Sequence, residues 1–383
     1  MPAAPADHPY RLPGLDLLRA LAIVWVMLYH VTSYGPRLPE VIEFGWMGVD
    51  LFFVLSGYLI GWQLLKPYTL GQQPRWGEFF ACRALRVLPA YLVVVALYAA
   101  FPAVRESPQM QPLWQFLTFT QNIFPDYFRA RALSHAWSRC IEEHFYLLLP
   151  PVVWLLARKR AAWKVATMAL AVFVGGMLVR AWIWEHDVAP FMQIKAGEGN
   201  FYDRYVEYLY NPTYARLDGL LAGVMLAVVR GFRPAWWAWM TQRGGWFLAL
   251  GVLGVLATMQ LRTPGYASAV IGYPLRSFSL AAILVSAASP TALLGQVRIP
   301  GVESIAAMAF SLYLTHKAVY FLVREHLGSW VDGSGMLALL CYVGAALLAG
   351  GLLYVAIERP GMRLRERFSA AGTSYTSAQS SRW

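Results

Sequence analysis

The first long apolar run of this chain, residues 15–34, holds two ionisable side chains, Arg19 and His30. At about 100° per residue, their eleven-residue spacing returns both side chains to one helix face, roughly 16 Å apart along the axis. Ionisable groups are costly inside a bilayer, so this pair predicts a polar path through the interior of a membrane protein. In such a path a histidine can act as a general base, and an arginine can hold an anionic group.

The second apolar run carries a carboxylate near its start, at Asp50. A carboxylate beside an imidazole orients its tautomer and raises its basicity, which makes Asp50 a candidate partner of His30. The alternative is structural: Asp50 would be an interfacial residue stabilised by the positive end of the helix dipole.

Two arginines three residues apart, Arg83 and Arg86, precede the third apolar run. This spacing makes them neighbours on a short helix before the third span. Two planar guanidinium groups suit the oxygens of a phosphate better than lysines do, so the pair predicts a phosphate clamp. The alternative is a pair of basic side chains that snorkel to the membrane surface.

The run that begins at Trp137 has an ionisable density that no purely lipid-facing helix would carry. Glu142 and Glu143 point about 100° apart, so at most one of them can address a central site while the other pairs with Arg139 or another basic group. Structural pairing alone is the alternative. In either case a polar environment is expected around this helix.

A late apolar run contains Ser311, Tyr313, His316 and Lys317. The last two are ionisable and lie deep in the run. A single histidine in a helix is more often a packing residue than a catalyst. His316 can therefore be interpreted either as a packing residue or as a functional one.

These residues need elements that position them inside a membrane. Apolar residues make up 58% of the 383 positions and charged residues only 14%, which is typical of a polytopic membrane protein. The expected fold is all-α, with about ten spanning helices around a polar central pore. The predicted spans cover residues 15–34, 44–65, 88–102, 137–156, 163–184, 212–230, 245–261, 269–288, 302–323 and 335–357.

The net charge of +11 is distributed at the ends of these spans. With the amino terminus inside, cytoplasmic segments hold 18 Lys and Arg residues against eight outside, which predicts cytoplasmic termini. Residues 1–14 are expected to be a cytoplasmic segment without a cleavable signal peptide, and residues 359–383 a disordered cytoplasmic tail. This distribution favours anchoring in the lipid bilayer and excludes nucleic acid as a partner.

The three cysteines, Cys82, Cys140 and Cys341, are scattered without CxxC spacing. Neither a metal site nor a disulfide framework is expected from them.

Five motifs occur in order along the chain: the arginine and histidine at positions 19 and 30, residues 48–58, the Arg-x-x-Arg of positions 83–86, residues 137–146, and residues 311–316. Together they resemble the integral membrane acyltransferase 3 family, with the transmembrane acyltransferase domain expected over residues 15–358. Two positions depart from the common pattern, Arg139 where an apolar residue is usual and His144 where glutamine is usual. They put acceptor or acyl preference in doubt, because both lie near the expected centre of the site.

The resemblance implies an acyl-CoA co-substrate, usually acetyl-CoA, that enters from the cytoplasm, with no bound cofactor. Donor binding would fall to Arg83 and Arg86 together with Arg19. The acceptor would be a hydroxyl of an extracytoplasmic or lipid-linked glycan, and the location a bacterial inner membrane. Members that carry an attached SGNH hydrolase-like domain differ from this sequence, which is expected to act alone or with a separate partner.

In the expected mechanism His30 removes a proton from the acceptor hydroxyl, with Asp50 or Glu143 orienting it. Arg19 or Lys317 would stabilise the oxyanion. Glu142 is a further catalytic candidate. The expected substrate-lining residues are Trp137, Tyr146, Ser311, Tyr313, His316 and Lys317.

Three alternatives stay open at this point. The acyl group could pass through a covalent intermediate on His30, Ser311 or Tyr313. The acceptor could be a small molecule instead of a glycan. An intramembrane set of Arg, His, Asp and Glu also fits a proton-coupled transporter, although no inverted repeat is visible and a transporter gives no reason for the Arg-x-x-Arg pair.

Overall fold

The computed structural model describes residues 12–158, 162–193, 201–331 and 335–366. This part of the chain contains no strand and has ten helices of 15 residues or more. They are α1 (Pro13–Thr32), α2 (Met47–Thr69), α3 (Trp76–Ala100), α4 (Trp137–Arg158), α5 (Ala162–Ile183), α6 (Asp218–Phe232), α7 (Gly244–Met259), α8 (Tyr273–Ala287), α9 (Val302–Val331) and α10 (Met336–Leu353). Each of these helices overlaps one predicted span. The spans are helical because a segment in lipid must satisfy its backbone hydrogen bonds internally.

Seven helical segments in the described residues are long and apolar enough to cross a membrane. The other three long helices are the charged α4 and the shorter α6 and α7. The expected polytopic all-α membrane fold is confirmed.

Two helix ends differ from the sequence expectation. Arg83 and Arg86 lie inside the 25-residue α3, and no separate short helix precedes it in the described chain. The last helix continues through a π-helical turn, Tyr354–Glu358, as far as Glu366. The predicted disordered tail therefore has helical structure over residues 359–366, while residues 367–383, like residues 1–11 of the amino-terminal segment, lie outside the described chain.

Glycines bring the backbones of α2 and α6 close together. A Cβ atom on Gly57 would overlap the carbonyl oxygen of Leu220, and one on Gly223 would overlap that of Val54. Small residues let two backbones approach closely, which is how helices associate where lipid provides no hydrophobic driving force.

A buried ionic cluster joins α2 and α6 to their neighbours. Asp50 accepts hydrogen bonds from Arg216 at 2.6 Å and from Arg276 at 3.1 Å. Arg180 of α5 donates to Asp218 at 2.7 Å. All five side chains are buried. Buried charges of this kind must be paired, so the cluster fixes how α2, α5, α6 and α8 sit together.

The starts of α1, α3 and α9 and the ends of α2 and α10 meet at one end of the bundle, where their residues line a common cavity. We call this end the basic end and the opposite one the far end.

At the far end, Arg131 donates to Asp203 at 2.9 Å, which ties the connection after α3 to the connection after α5. The backbone N–H of Tyr127 donates to Glu207 at 2.7 Å across the same two connections. Burial raises the pKa of the Glu207 carboxyl, against the effect of its backbone N–H donors.

Candidate active site

A cavity of about 370 Å³ opens among α1, α2, α3, α4, α9 and the extension of α10. Its charged lining is mostly basic. The charged residues are Arg19, Arg83, Arg86, Arg139, Glu142, Glu358 and Arg365. We call this space the arginine cavity. Five guanidinium groups against two carboxylates leave an excess of positive charge, which favours a polyanionic ligand.

Arg83 and Arg86 both face this cavity and are half-buried. Neither makes a salt bridge or a side-chain hydrogen bond within the described residues, although the Arg83 guanidinium lies 4.8 Å from the ring centroid of Tyr146. Arg19 lines the same cavity and donates to Asp16 at 2.7 Å. The structure thus brings the three predicted donor-binding arginines together from α1 and α3.

The two glutamates of α4 both pair with Arg139. Glu142 accepts from Arg139 and, at 2.6 Å, from the hydroxyl of Ser56. Glu143 accepts from the other terminal nitrogen of Arg139 at 2.6 Å. From the sequence, at most one glutamate is expected to address a central site while the other pairs with Arg139 or another basic group. Glu142 lines the arginine cavity and Glu143 does not. Both pair with Arg139, because it lies one turn before them and offers one terminal nitrogen to each carboxylate.

Glu358 and Arg365 line the arginine cavity although the sequence did not single them out as site residues. Glu358 is 1% exposed and accepts from the hydroxyl of Ser311 at 2.6 Å. Both follow the last predicted span, and Arg365 lies in the segment that was expected to be a disordered tail. Only the helical extension beyond Leu353 turns them toward the cavity.

His30 forms a hydrogen bond with His316, Nδ1 to Nε2, at 2.9 Å. The Nδ1 atom of His316 lies 3.0 Å from the carbonyl oxygen of Leu312, which can only accept. His316 therefore carries its proton on Nδ1, and its Nε2 is an acceptor. His30 must then donate from Nδ1, which leaves the lone pair on its own Nε2. This tautomer is the one a general base needs.

A third histidine, His135, joins this pair. Its ring centroid lies 5.2 Å from that of His316 and 5.3 Å from that of Tyr313. His135 is buried and lies two residues before the start of the motif at 137–146, which was the available signal for it in the sequence.

Tyr313 connects the arginine cavity to the histidines. It lines the cavity and stands one helical turn before His316 on α9. Its hydroxyl lies 2.9 Å from the Ser138 hydroxyl and donates to the carbonyl of His135. The cavity thus reaches from the arginines at the basic end to within one turn of the His30–His316 pair.

Three other predicted site residues lie elsewhere. Asp50 belongs to the ionic cluster, and in the described structure neither it nor either glutamate of α4 hydrogen-bonds His30, whose partner is His316. Trp137 packs between Phe53 and Tyr210 and does not line the arginine cavity. Lys317 lies toward the far end, 3.3 Å from Glu106.

Among the described residues no group of His, Cys, Asp and Glu side chains is arranged to hold a metal ion, and the three cysteines are unpaired. Tyr146 lies in the wall of the arginine cavity, with its ring beside the Arg83 guanidinium. The arrangement therefore offers anion binding at one end and a histidine base at the other.

Comparison with known proteins gives the family. The family described as an acyltransferase domain matches residues 12–355. The O-acetyltransferase OatA of Staphylococcus aureus strain NCTC 8325 / PS 47 is 34% identical over 167 residues, which cover 39% of this chain and 26% of OatA. The S. aureus strain COL protein SACOL0978, provisionally named an O-acetyltransferase, is 29% identical over 230 residues, 56% of this chain and 34% of its own length.

The chain thus aligns with only about a quarter to a third of these relatives, and no solved structure matches it. The family match, in contrast, runs through nearly all of the described residues and covers the site apart from Glu358 and Arg365, which follow residue 355. This polytopic helical membrane protein belongs to the acyltransferase 3 family.

Proposed function

We propose that this protein is a membrane O-acetyltransferase that moves an acetyl group from cytoplasmic acetyl-CoA to a hydroxyl of an extracytoplasmic or lipid-linked glycan. The observation that carries the proposal is the arginine cavity, which ends one helical turn from the hydrogen-bonded His30–His316 pair. The O-acetyltransferase names of two relatives support acetyl as the acyl group.

The donor's phosphates fit the basic end of the cavity. Arg83 and Arg86 face this space without a salt bridge in the described structure, so their charges are available to phosphate oxygens. The topology predicted from the sequence assigns 18 Lys and Arg residues to cytoplasmic segments against eight outside, which favours the cytoplasm for the basic end and for both termini. Acyl-CoA is made in the cytoplasm, so a bacterial inner membrane is the proposed location.

The chemistry follows from the tautomer of His30. Its Nε2 takes the proton of the acceptor hydroxyl as that oxygen attacks the thioester carbonyl. The carbon–sulfur bond then breaks, and the leaving thiolate of CoA takes the proton from the imidazolium. Throughout, Nδ1–H of His30 donates to His316, which orients the ring and stabilises its positive charge as a third group does in a catalytic triad.

For the oxyanion, Lys317 lies closer to His30 than Arg19 does, although its ammonium group is paired with Glu106 at 3.3 Å. Lys317 follows His316 directly in α9, whereas Arg19 lies roughly 16 Å from His30 along α1. Arg19 is assigned to the donor instead. An acceptor from the far end can approach His30, because this side chain is half-buried in the last turn of α1.

Of the three residues predicted as possible nucleophiles in a covalent mechanism, His30 is the preferred one to hold the acetyl group. Ser311 is fully buried and its hydroxyl donates to Glu358, while the hydroxyl of Tyr313 donates to a backbone carbonyl. His30 has a free lone pair on Nε2. If an acyl-enzyme forms, acid quenching followed by mass spectrometry should find the acetyl group on His30.

The test uses purified protein in proteoliposomes with radiolabelled acetyl-CoA and lipid-linked sugar or polysaccharide acceptors. We expect His30→Ala to abolish transfer and to leave donor binding intact. His326→Ala is the matched control, because His326 is an exposed histidine of α9. Transfer that survives His30→Ala, or that is absent from the wild type with every acceptor, would overturn the proposal. Supplying acetyl-CoA to one side at a time tests which end binds it.

A further inference from the structure

A second cavity of about 490 Å³ adjoins the arginine cavity at the basic end. Gln63 and Arg365 line both spaces and connect them. We call this second cavity the side groove. The rest of its wall comes from the end of α2, the turn to α3, the start of α3 and the α10 extension: Leu64, Pro67, Pro74, Arg75, Glu78, Phe79, Cys82 and Glu366.

The arginine cavity by itself is small for the proposed donor. Its volume of about 370 Å³ lies near the lower limit of about 300 Å³ for small-ligand sites. An acyl-CoA has roughly 50 non-hydrogen atoms, more than the drug-sized ligands that such sites enclose. If its acyl-pantetheine arm and diphosphate occupy the arginine cavity, its adenosine part needs adjoining space.

The walls of the side groove suit a purine nucleotide. Phe79 and Pro74 are buried in the wall and offer apolar surface to a flat ring. Arg75 is already paired with Glu78 at 2.8 Å. Arg365 makes no salt bridge or side-chain hydrogen bond within the described residues, so its guanidinium is available to a phosphate where the two cavities meet.

We propose that the side groove binds the adenosine 3′-phosphate part of the donor, with Arg365 on its phosphate. This inference rests on the proposed function and narrows it. The enzyme would require a donor that carries a nucleotide, so that CoA thioesters are used and thioesters of pantetheine alone are poor donors.

Cys82 provides a direct readout because its half-buried thiol lines the side groove. Cys341 is also half-buried but lines neither cavity, and Cys140 is buried. Maleimide labelling with peptide mass spectrometry therefore follows groove occupancy at Cys82 with an internal control at Cys341. The probes are S-ethyl-CoA and S-ethyl-pantetheine, two thioethers that carry neither a free thiol nor a transferable acyl group.

At ten times its Kd, S-ethyl-CoA should slow labelling of Cys82 by about tenfold and leave Cys341 unchanged, because only the unoccupied protein reacts. S-ethyl-pantetheine, at a concentration that inhibits transfer, should leave the Cys82 rate unchanged. The inference is overturned if S-ethyl-CoA inhibits transfer without protecting Cys82, or if both probes protect equally. If S-ethyl-CoA neither binds nor inhibits, the proposed function itself fails.

A pair of variants tests the phosphate contact. Arg365→Ala should raise the Kd of S-ethyl-CoA by about tenfold, as expected for a lost charge-assisted hydrogen bond. The same variant should leave S-ethyl-pantetheine binding unchanged. Arg363→Ala removes an equal charge from an exposed position of the same helical extension and should affect neither probe. Equal weakening of both probes by Arg365→Ala would contradict the assignment.

Discussion

The hydrogen bond between His30 and His316 can be removed by a substitution that keeps a polar side chain at position 316. His316 donates from Nδ1 to Leu312 and accepts at Nε2 from His30. The amide nitrogen of asparagine can take the place of Nδ1, and the amide oxygen of glutamine can reach the place of Nε2. His316→Asn therefore keeps the contact with Leu312 and loses the one with His30, whereas His316→Gln keeps an acceptor for His30.

The size of the effect follows from burial. His316 is 0% exposed, so bulk water does not replace the lost acceptor. A hydrogen bond to a charged group contributes about 1.5–3 kcal/mol, and about 1.4 kcal/mol in the barrier changes the rate tenfold. His316→Asn should therefore lower kcat roughly 10- to 100-fold, and further if His30 changes its tautomer. His316→Gln should stay within about tenfold of the wild type.

The assay is acetyl transfer in proteoliposomes, with the Kd of S-ethyl-CoA measured on the same preparations. Neither variant should alter that Kd by more than about twofold, because His316 does not line the arginine cavity. Equal kcat values for the two variants would refute the assigned role of His316, as would a wild-type kcat for His316→Asn.

Three further predictions concern the donor, the ionic cluster and the packing of the bundle. Arg83→Ala should raise the Kd of S-ethyl-CoA about tenfold with little change in kcat, and Arg233→Ala, an exposed arginine outside both cavities, should leave equilibrium binding unchanged. Asp50→Asn should lower the free energy of unfolding by about 3–5 kcal/mol, because two buried arginines lose their counter-charge. Thermal unfolding in detergent measures this loss. An unchanged unfolding profile together with lost transfer would instead support the catalytic role expected from the sequence. Gly57→Ala should lower the unfolding temperature, whereas Gly175→Ala, whose added Cβ meets nothing within 4 Å, should not.

The helices could be predicted because their signal is local. A bilayer requires about twenty apolar residues per crossing, and each predicted span overlaps a long helix of the described chain. The places where the prediction differs are ends, at α3 and after α10, where polar residues continue a helix that hydropathy alone would stop. Helical periodicity likewise placed Arg19 and His30 on one face of α1.

The partners of the polar residues could not be read in this way. Asp50 was expected beside His30 because both types are suited to that chemistry, but Arg216, which precedes α6, and Arg276 of α8 neutralise its charge. In a low-dielectric interior a carboxylate is stabilised most by the nearest guanidinium groups, and the sequence does not show which ones are nearest.

The sequence by itself determined the class of protein, the position of the helices and the set of ionisable side chains inside them, because each of these depends on composition and on spacing along one segment. Only the tertiary structure decided that His30 meets His316, which is 286 residues away in the chain, and that Glu358 and Arg365 return to the cavity of α1 and α3. The physical reason is that such contacts depend on how the helices pack against one another. That packing is set by close glycine contacts and buried ion pairs between distant segments, and no local pattern encodes them.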